Sequence, residues 1–401
     1  MRNIHFFVIV GRIAVFGAWA AGWAMAEPTN VQTYALNLDL EKDLINDYSK
    51  NTELPTCGFT CPKPKIGGED VVLDYRKKGA MLLRTDATDD ATMAFLDTCG
   101  IKAIVRLKGQ EKRMLEDAER LSKSISAKVI AGFEIEPCGE SEAPRVAAKW
   151  AQLFPVLAKG FPKAKVILPL DGNKADASVV TAFGPALKSI THVLYRIPKG
   201  LRAPSEPVSE FVKQLRSIPE LKHTRVMLVM SDKPPRGLDG GKIGATLWRM
   251  RAMLTTLAIP GVDAFIFDGM PRPDDFAFAM RNAGALLRNR KELKVRAHGK
   301  APESGDKQDA GDIEWVAFTY HRWGGPYVGL FVVNDSDRPA QLKTEVLNYK
   351  HRAPTYWTLG LGPDGKIGSD AWEPDVKPEE LFIEVRPATF ECVLFPIEKK
   401  K

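Results

Sequence analysis

"KVIAGFEIEP", residues 128–137, is the stretch on which the fold turns. It begins apolar and β-branched, sets two glutamates two residues apart, and stops at a proline. In an extended strand successive side chains alternate between faces, so Glu134 and Glu136 share one side and Phe133 and Ile135 the other. A carboxylate aimed inward at a strand's end is costly unless it is ion-paired, hydrogen-bonded or used in chemistry. An amphipathic helical pattern follows from Ala143, "APRVAAKWAQLFPVLAKG", and then a second apolar run, "KVILPLDG" (165–172). Strand, long helix, strand is the rhythm of a parallel sheet with crossover helices.

The rhythm extends both ways. Upstream lie "AMLLRTD" (80–86), a helix pattern ending at Gly100, "IKAIVRL" (101–107) and the charged helix "EKRMLEDAERLSKSI". Downstream come "HVLYRIP" (192–198), "RVMLVMSD" (225–232) and "VDAFIFDG" (262–269), each followed by a helical pattern. Seven strand-helix units call for an eighth strand to close a (β/α)8 barrel, and either "VQTYALNLDL" (31–40) or "EDVVLDY" (69–75) can supply it. A doubly wound open sheet is the rival, but no G-x-G-x-x-G turn follows the first strand. The fold class expected is therefore α/β, a (β/α)8 barrel over 27–292 with an N-terminal extension, 27–70.

After residue 292 the periodicity changes. A polar, Gly-rich segment (298–312) leads into short alternating runs such as "IEWVAFTYHR" and "YVGLFVVNDSD", joined by Asn, Asp and Gly turns. Residues 293–401 read as a small antiparallel β-sandwich packed on the barrel, to which residues 27–40 can add a strand.

At the other end, residues 1–26 have Arg2 and Arg12, an apolar centre and Ala24-Met25-Ala26 before Glu27, the layout of a secretory signal peptide. That implies a secreted or periplasmic protein with no stable membrane insertion after cleavage. Removing the two arginines takes the formal charge from +7 to +5. So mild a surplus, with no basic stripe interleaved with aromatics, argues against nucleic acid. Five cysteines are present; export permits a disulfide, and Cys57 with Cys61 is the favoured pair. The histidines show no metal-ligand spacing, no nucleotide motif occurs, and neither metal nor cofactor is expected.

The polar residues at the strand ends are Asp86, Glu136, Asp171, Arg196, Asp232 and Asp268. In a (β/α)8 barrel these ends converge on one rim, where active sites are built. Singly, an Asp after a strand also reads as a turn former or helix cap. Glu134 has an equally plain reading, a buried carboxylate satisfied by Arg84 or Arg106. The loop "KPPRGLDGGKIG" after Asp232 suits a lid or a simple connection. Of Trp248, Trp323, Trp357 and Trp372, which could stack on sugar rings, Trp248 lies in an apolar helical pattern and reads as core.

A barrel followed by a sandwich, with Glu-Pro closing the fourth strand, resembles the clan A glycoside hydrolases. "FEIEP" keeps that family's aromatic, Glu-Ile and Glu-Pro, and "RVAAKWAQLFPVLAKGFPKAKVILPL" is similar to its fourth helix and fifth strand. The motif is two residues shorter, with Ile135 where an asparagine usually stands. Ser231-Asp232 occupies the place of Thr-Glu on the seventh strand, and Tyr195-Arg196 that of His-Tyr on the sixth. The resemblance implies a carbohydrate ligand and paired carboxylates, with Glu136 as proton donor and Asp232 as nucleophile or base. Glu134, Arg84, Asp171, Tyr195, Arg196 and Asp268 are then expected to contact substrate. Substitution at two family positions is also what a barrel that binds glycan without cleaving it would show.

Overall fold

The computed structural model describes residues 32–42, 44, 46–47, 57–64, 81–170, 177–201, 204–231, 233, 248–249, 251–253, 255–256, 258–269, 293–301, 313–322, 325–334, 339–351, 355–361, 367–372, 381–385 and 389–400. Two short strands come first, β1 (Gln32–Leu38) and β2 (Asn46–Asp47). The barrel strands are β3 (Cys57–Thr60), β4 (Leu82–Thr85), β5 (Lys102–Arg106), β6 (Ile130–Glu134), β7 (Lys165–Leu170), β8 (His192–Arg196), β9 (Arg225–Ser231) and β10 (Val262–Asp268). All pair in parallel, and β10 returns to β3 to close the ring.

Closure places every strand between two apolar layers. Leu82, Ile104, Ile167, Leu194, Met227 and Ile266 fill the barrel interior. Val105, Phe133, Leu168, Val193, Leu228 and Phe265 face the helices outside. The helices start and stop where local chemistry dictates. In Asp90–Cys99 the Asp89 carboxylate accepts the Thr92 N–H at 2.8 Å, and Gly100 ends the helix at φ 67°. Helix Ala143–Gly160 buries Val146, Ala147, Trp150, Leu153 and Leu157 on one stripe. After β7 the chain forms helix Ala177–Phe183, continued as a 3₁₀ turn, Gly184–Ser189.

The first barrel strand corrects the sequence reading. It is neither 31–40 nor 69–75 but β3, four residues long. A Cβ on Gly58 would stand 2.2 Å from the Leu82 carbonyl oxygen, so β3 approaches β4 as only glycine allows. Residues 35–40 alternate because they have one buried face: Leu36, Leu38 and Leu40 are buried beside exposed Ala35 and Asn37. Barrel strands are covered on both faces and read as continuous apolar runs. Accordingly β1 leaves the barrel region and pairs with the C-terminal sheets. Residues 69–75 and the segment 1–26, read from sequence as a signal peptide, lie outside the described residues.

The strands after the barrel are β11 (Leu293–Ala301), β12 (Ile313–Arg322), β13 (Gly325–Asn334), β14 (Ala340–Val346), β15 (Tyr349–His351), β16 (Thr355–Leu361), β17 (Ile367–Trp372), β18 (Leu381–Val385) and β19 (Thr389–Lys399). One sheet runs β17-β16-β19-β13-β12-β11-β2, with β15 added on β19, and a smaller one runs β1-β14-β18. Leu38, Leu330, Leu342, Ile383 and Val393 fill the space between them. Alternate residues on the larger sheet, Val316, Phe318 and Phe331, turn the other way and join the barrel's outer core. At that junction Glu314 is fully buried, with Arg251 Nε at 2.6 Å and His298 Nε2 at 3.0 Å. Burial works to raise its pKa, but His298 and Arg251 outweigh it and hold the carboxyl below the ordinary value.

The expected Cys57–Cys61 disulfide does not form; both residues carry thiols. Cys57 opens a strand, so four residues of extended chain separate the pair by about 13 Å, beyond the ~7 Å a disulfide tolerates. Burial pushes the Cys57 thiol up to about 12.

Candidate functional site

Parallel strands bring the C-terminal ends of β3 to β10 to one mouth. Side chains of alternate residues point inward there, and in the described strands these include Arg84, Glu134, Arg196 and Asp268. Arg84 and Glu134 form a two-pronged ion pair across the intervening β5: Nε to Oε2 at 2.5 Å and Nη2 to Oε1 at 2.6 Å. Their side chains are 2% and 0% exposed. Arg84 Nη1 also reaches Asp268 Oδ1 at 3.4 Å, and Arg196 Nη1 donates to Asp268 Oδ2 at 2.5 Å. One chain of charges, Glu134–Arg84–Asp268–Arg196, therefore crosses the mouth.

Its two halves differ in access. Glu134 and Arg84, expected to touch substrate, are instead the floor of the mouth. Arg196 and Asp268 keep 38% and 30% of their side-chain surface in solvent. Burial tends to raise the Asp268 pKa, yet the hydrogen bond and charge of Arg196, with the charge of Arg84, hold it below the usual carboxylate range. For Arg84 burial alone would lower the pKa; the Glu134 contact reverses this and secures the guanidinium charge. A half-buried ionised carboxylate beside a half-buried guanidinium offers a hydrogen-bond acceptor and donor together, suited to neighbouring hydroxyl groups of a ligand.

Glu136 lies just past the end of β6. Its Oε2 accepts from Lys149 Nζ at 2.5 Å, and the same ammonium donates to the Gly109 carbonyl at 2.8 Å. Lys149 comes from the buried face of helix Ala143–Gly160, so Glu136 is tied to the helix layer and to the loop after β5. Asp86 is engaged likewise, with Arg106 Nε at 2.6 Å and Lys108 Nζ at 2.8 Å.

Tyr195 corrects the sequence expectation. It precedes Arg196 and so faces the opposite way: its ring is fully buried and stacks on Phe211 of helix Ser205–Ser217 at 4.2 Å. Burial raises its phenol pKa. It packs the outer layer and cannot touch a ligand in the mouth. Trp248 is core, as its pattern suggested, with Nε1 donating to the Leu201 carbonyl at 2.9 Å. Asp171 and Asp232 lie outside the described residues. Lys149 was missed by sequence reading, although one signal marks it: a lysine within the apolar stripe of Val146, Ala147, Trp150 and Leu153. Among the described residues no group of three or more His, Cys, Asp or Glu is placed to hold a metal ion.

No family model matches the chain, and no curated protein matches it in sequence. Its architecture is nonetheless shared with solved structures. An α-L-arabinofuranosidase from Thermotoga maritima, in complex with arabinose, superposes with a TM-score of 0.63 at 10% identity, over 91% of this chain and 100% of that one. A family 30 endoxylanase from Clostridium papyrosolvens gives 0.56 at 10% identity, over 90% and 99%. A family 44 xyloglucanase from Paenibacillus polymyxa gives 0.52 at 9% identity, over 91% and 99%. Barrel and sandwich are thus matched together, from end to end of the neighbours.

Proposed function

We propose that this chain, whose fold is that of the clan A glycoside hydrolases, engages a saccharide at the barrel mouth and acts on its O-glycosidic bonds. The observation that carries the reading is the charged mouth itself, open at Arg196 and Asp268 and closed beneath by Arg84–Glu134, in an architecture shared with an arabinofuranosidase and a xylanase. Glycoside hydrolysis needs two carboxyl groups flanking the bond, one giving a proton and one attacking or activating water. Glu136 is the proposed proton donor and Asp232 the proposed nucleophile or base. Asp268 and Arg196 hold sugar hydroxyls. Neither role requires a metal or cofactor. Export to the periplasm or medium belongs to the same proposal and rests on the pattern of residues 1–26.

A second reading, saccharide binding without cleavage, is favoured by one contact: Lys149 already occupies an oxygen of Glu136. One experiment separates the two. The protein lacking residues 1–26 is assayed on a panel of arabinans, xylans and glucans beside Glu136→Gln, Asp232→Asn and Arg196→Ala. Cleavage that falls by about 10²–10⁴ in the carboxylate variants supports the catalytic assignment. Cleavage unchanged in both ends it. Saturable binding without turnover, lost in Arg196→Ala, selects the second reading.

A further inference from the structure

We infer that the end of the barrel opposite the mouth docks on an anionic phospholipid surface. This goes beyond the saccharide reading and is independent of it. Because the barrel strands are parallel, the segments entering them share one basal face, and cations recur there. Lys102, Lys128, Lys163, Lys188, Lys222 and Arg225 lie at or just before the starts of successive strands, β5 to β9. Lys128, Lys163, Lys188 and Lys222 are exposed. The Lys102 ammonium donates to the Lys128 carbonyl at 2.7 Å, a neutral acceptor that leaves its charge uncompensated.

Acids are few on the same segments. Asp97 pairs with Lys128 at 3.2 Å, Glu220 is exposed, and Asp263 is 1% exposed beneath Arg225 and His192. The mouth is the reverse case, since Arg84, Arg106, Lys149 and Arg196 each face a carboxylate. Among the described residues, uncompensated positive charge therefore gathers at the base.

A second observation chooses the partner. Ile125, on the connection between Lys123 and Lys128 that leads into β6, is 95% exposed, whereas the other exposed large apolar residues among those described are under half exposed. An aliphatic side chain held fully in water gains by entering a lipid interface. A polysaccharide or nucleic-acid chain offers it little apolar surface. Lysines flanking a protruding isoleucine fit headgroup phosphates with acyl chain beneath. Docked this way, the barrel turns its mouth away from the bilayer and toward soluble polymer.

Cosedimentation with unilamellar vesicles tests the inference, comparing phosphatidylcholine alone with vesicles containing about one-third phosphatidylglycerol. The protein is expected to bind only the anionic vesicles and to be released at ~1 M salt. Combined Lys163→Glu, Lys188→Glu and Lys222→Glu should weaken binding by at least about 100-fold, since each lysine near a charged bilayer is worth about fivefold. Ile125→Ser should weaken it several-fold, and both variants should keep the parent unfolding midpoint. Equal binding to phosphatidylcholine alone, no binding to anionic vesicles, or a charge-reversed variant that binds like the parent would overturn the inference. So would tighter binding to polygalacturonate that ignores Ile125→Ser, which would make the partner an acidic polysaccharide.

Discussion

Glu134 shows why a carboxylate can face inward at a strand end without being a catalyst. It is sealed from solvent, and both its oxygens are met by the planar fork of Arg84. Such a pair contributes little net stability, but losing one partner strands the other charge in a medium that cannot solvate it. Arg84→Met should cost about 3–5 kcal/mol in urea unfolding, and the double variant Arg84→Met/Glu134→Leu should recover most of it. Asp268 makes the contrasting case, ionised and open to ligand. Its folded-state pKa is lowered, so the stability it contributes is present above the unfolded carboxyl value of about 3.9 and is lost as pH falls through the lower folded value. Saccharide binding at the mouth should accordingly persist through mild acid and fail only below pH ~4. Asp268→Asn should remove that acid limb in a calorimetric titration.

Helix Ala143–Gly160 and strand β3 carry consequences at the scale of the element. The helix buries a lysine in an apolar stripe, which its own packing does not require; the partners are Glu136 and the Gly109 carbonyl. Lys149→Met leaves the stripe intact and both acceptors unserved, so unfolding free energy should drop by about 1.5–3 kcal/mol. If the ammonium restrains Glu136, the same variant should change kcat on a cleaved glycan more than KM. Strand β3 hides Cys57, whose thiol is pushed up to about 12, while Cys61 just beyond the strand is half-buried. Thiolate is the reactive form. Burial raises the Cys61 thiol too but leaves it partly open to solvent, so a thiol reagent should label Cys61 slowly on the native protein and reach Cys57 only on unfolding, as peptide mapping would show.

At the scale of the whole molecule, the barrel and the larger sheet share one apolar core and a buried polar knot at Glu314. Arg251 comes from the barrel's helices, His298 and Glu314 from neighbouring strands of the sheet, and the Ser205 hydroxyl lies at 3.3 Å from the same carboxylate. Glu314→Gln keeps the shape and removes the charge that Arg251 answers, at a cost of about 3–5 kcal/mol. In calorimetry the parent should unfold in one transition and this variant should separate toward two, because the knot ties the layers together. The sandwich is legible in sequence from its period-two runs, and the barrel from seven apolar runs spaced by helices. The closing strand was not, since "CGFT" is too short for periodicity and its glycine records a contact with Leu82 made only in the folded barrel.

Local pattern was sufficient for the parallel barrel and the sandwich, because periodicity and strand direction are properties of the chain itself. Which of the ionisable strand-end residues stay open to a ligand was decided by tertiary packing. Tyr195 and Arg196 are adjacent, yet strand parity sends one to Phe211 and the other to the mouth. Strand parity puts Glu134 and Glu136 on one side, and partners 50 and 13 residues away, Arg84 and Lys149, gave them different surroundings. The reason is physical: the state of a buried charge depends on the counter-charge folding places within about 4 Å of it, and that neighbour is remote in sequence.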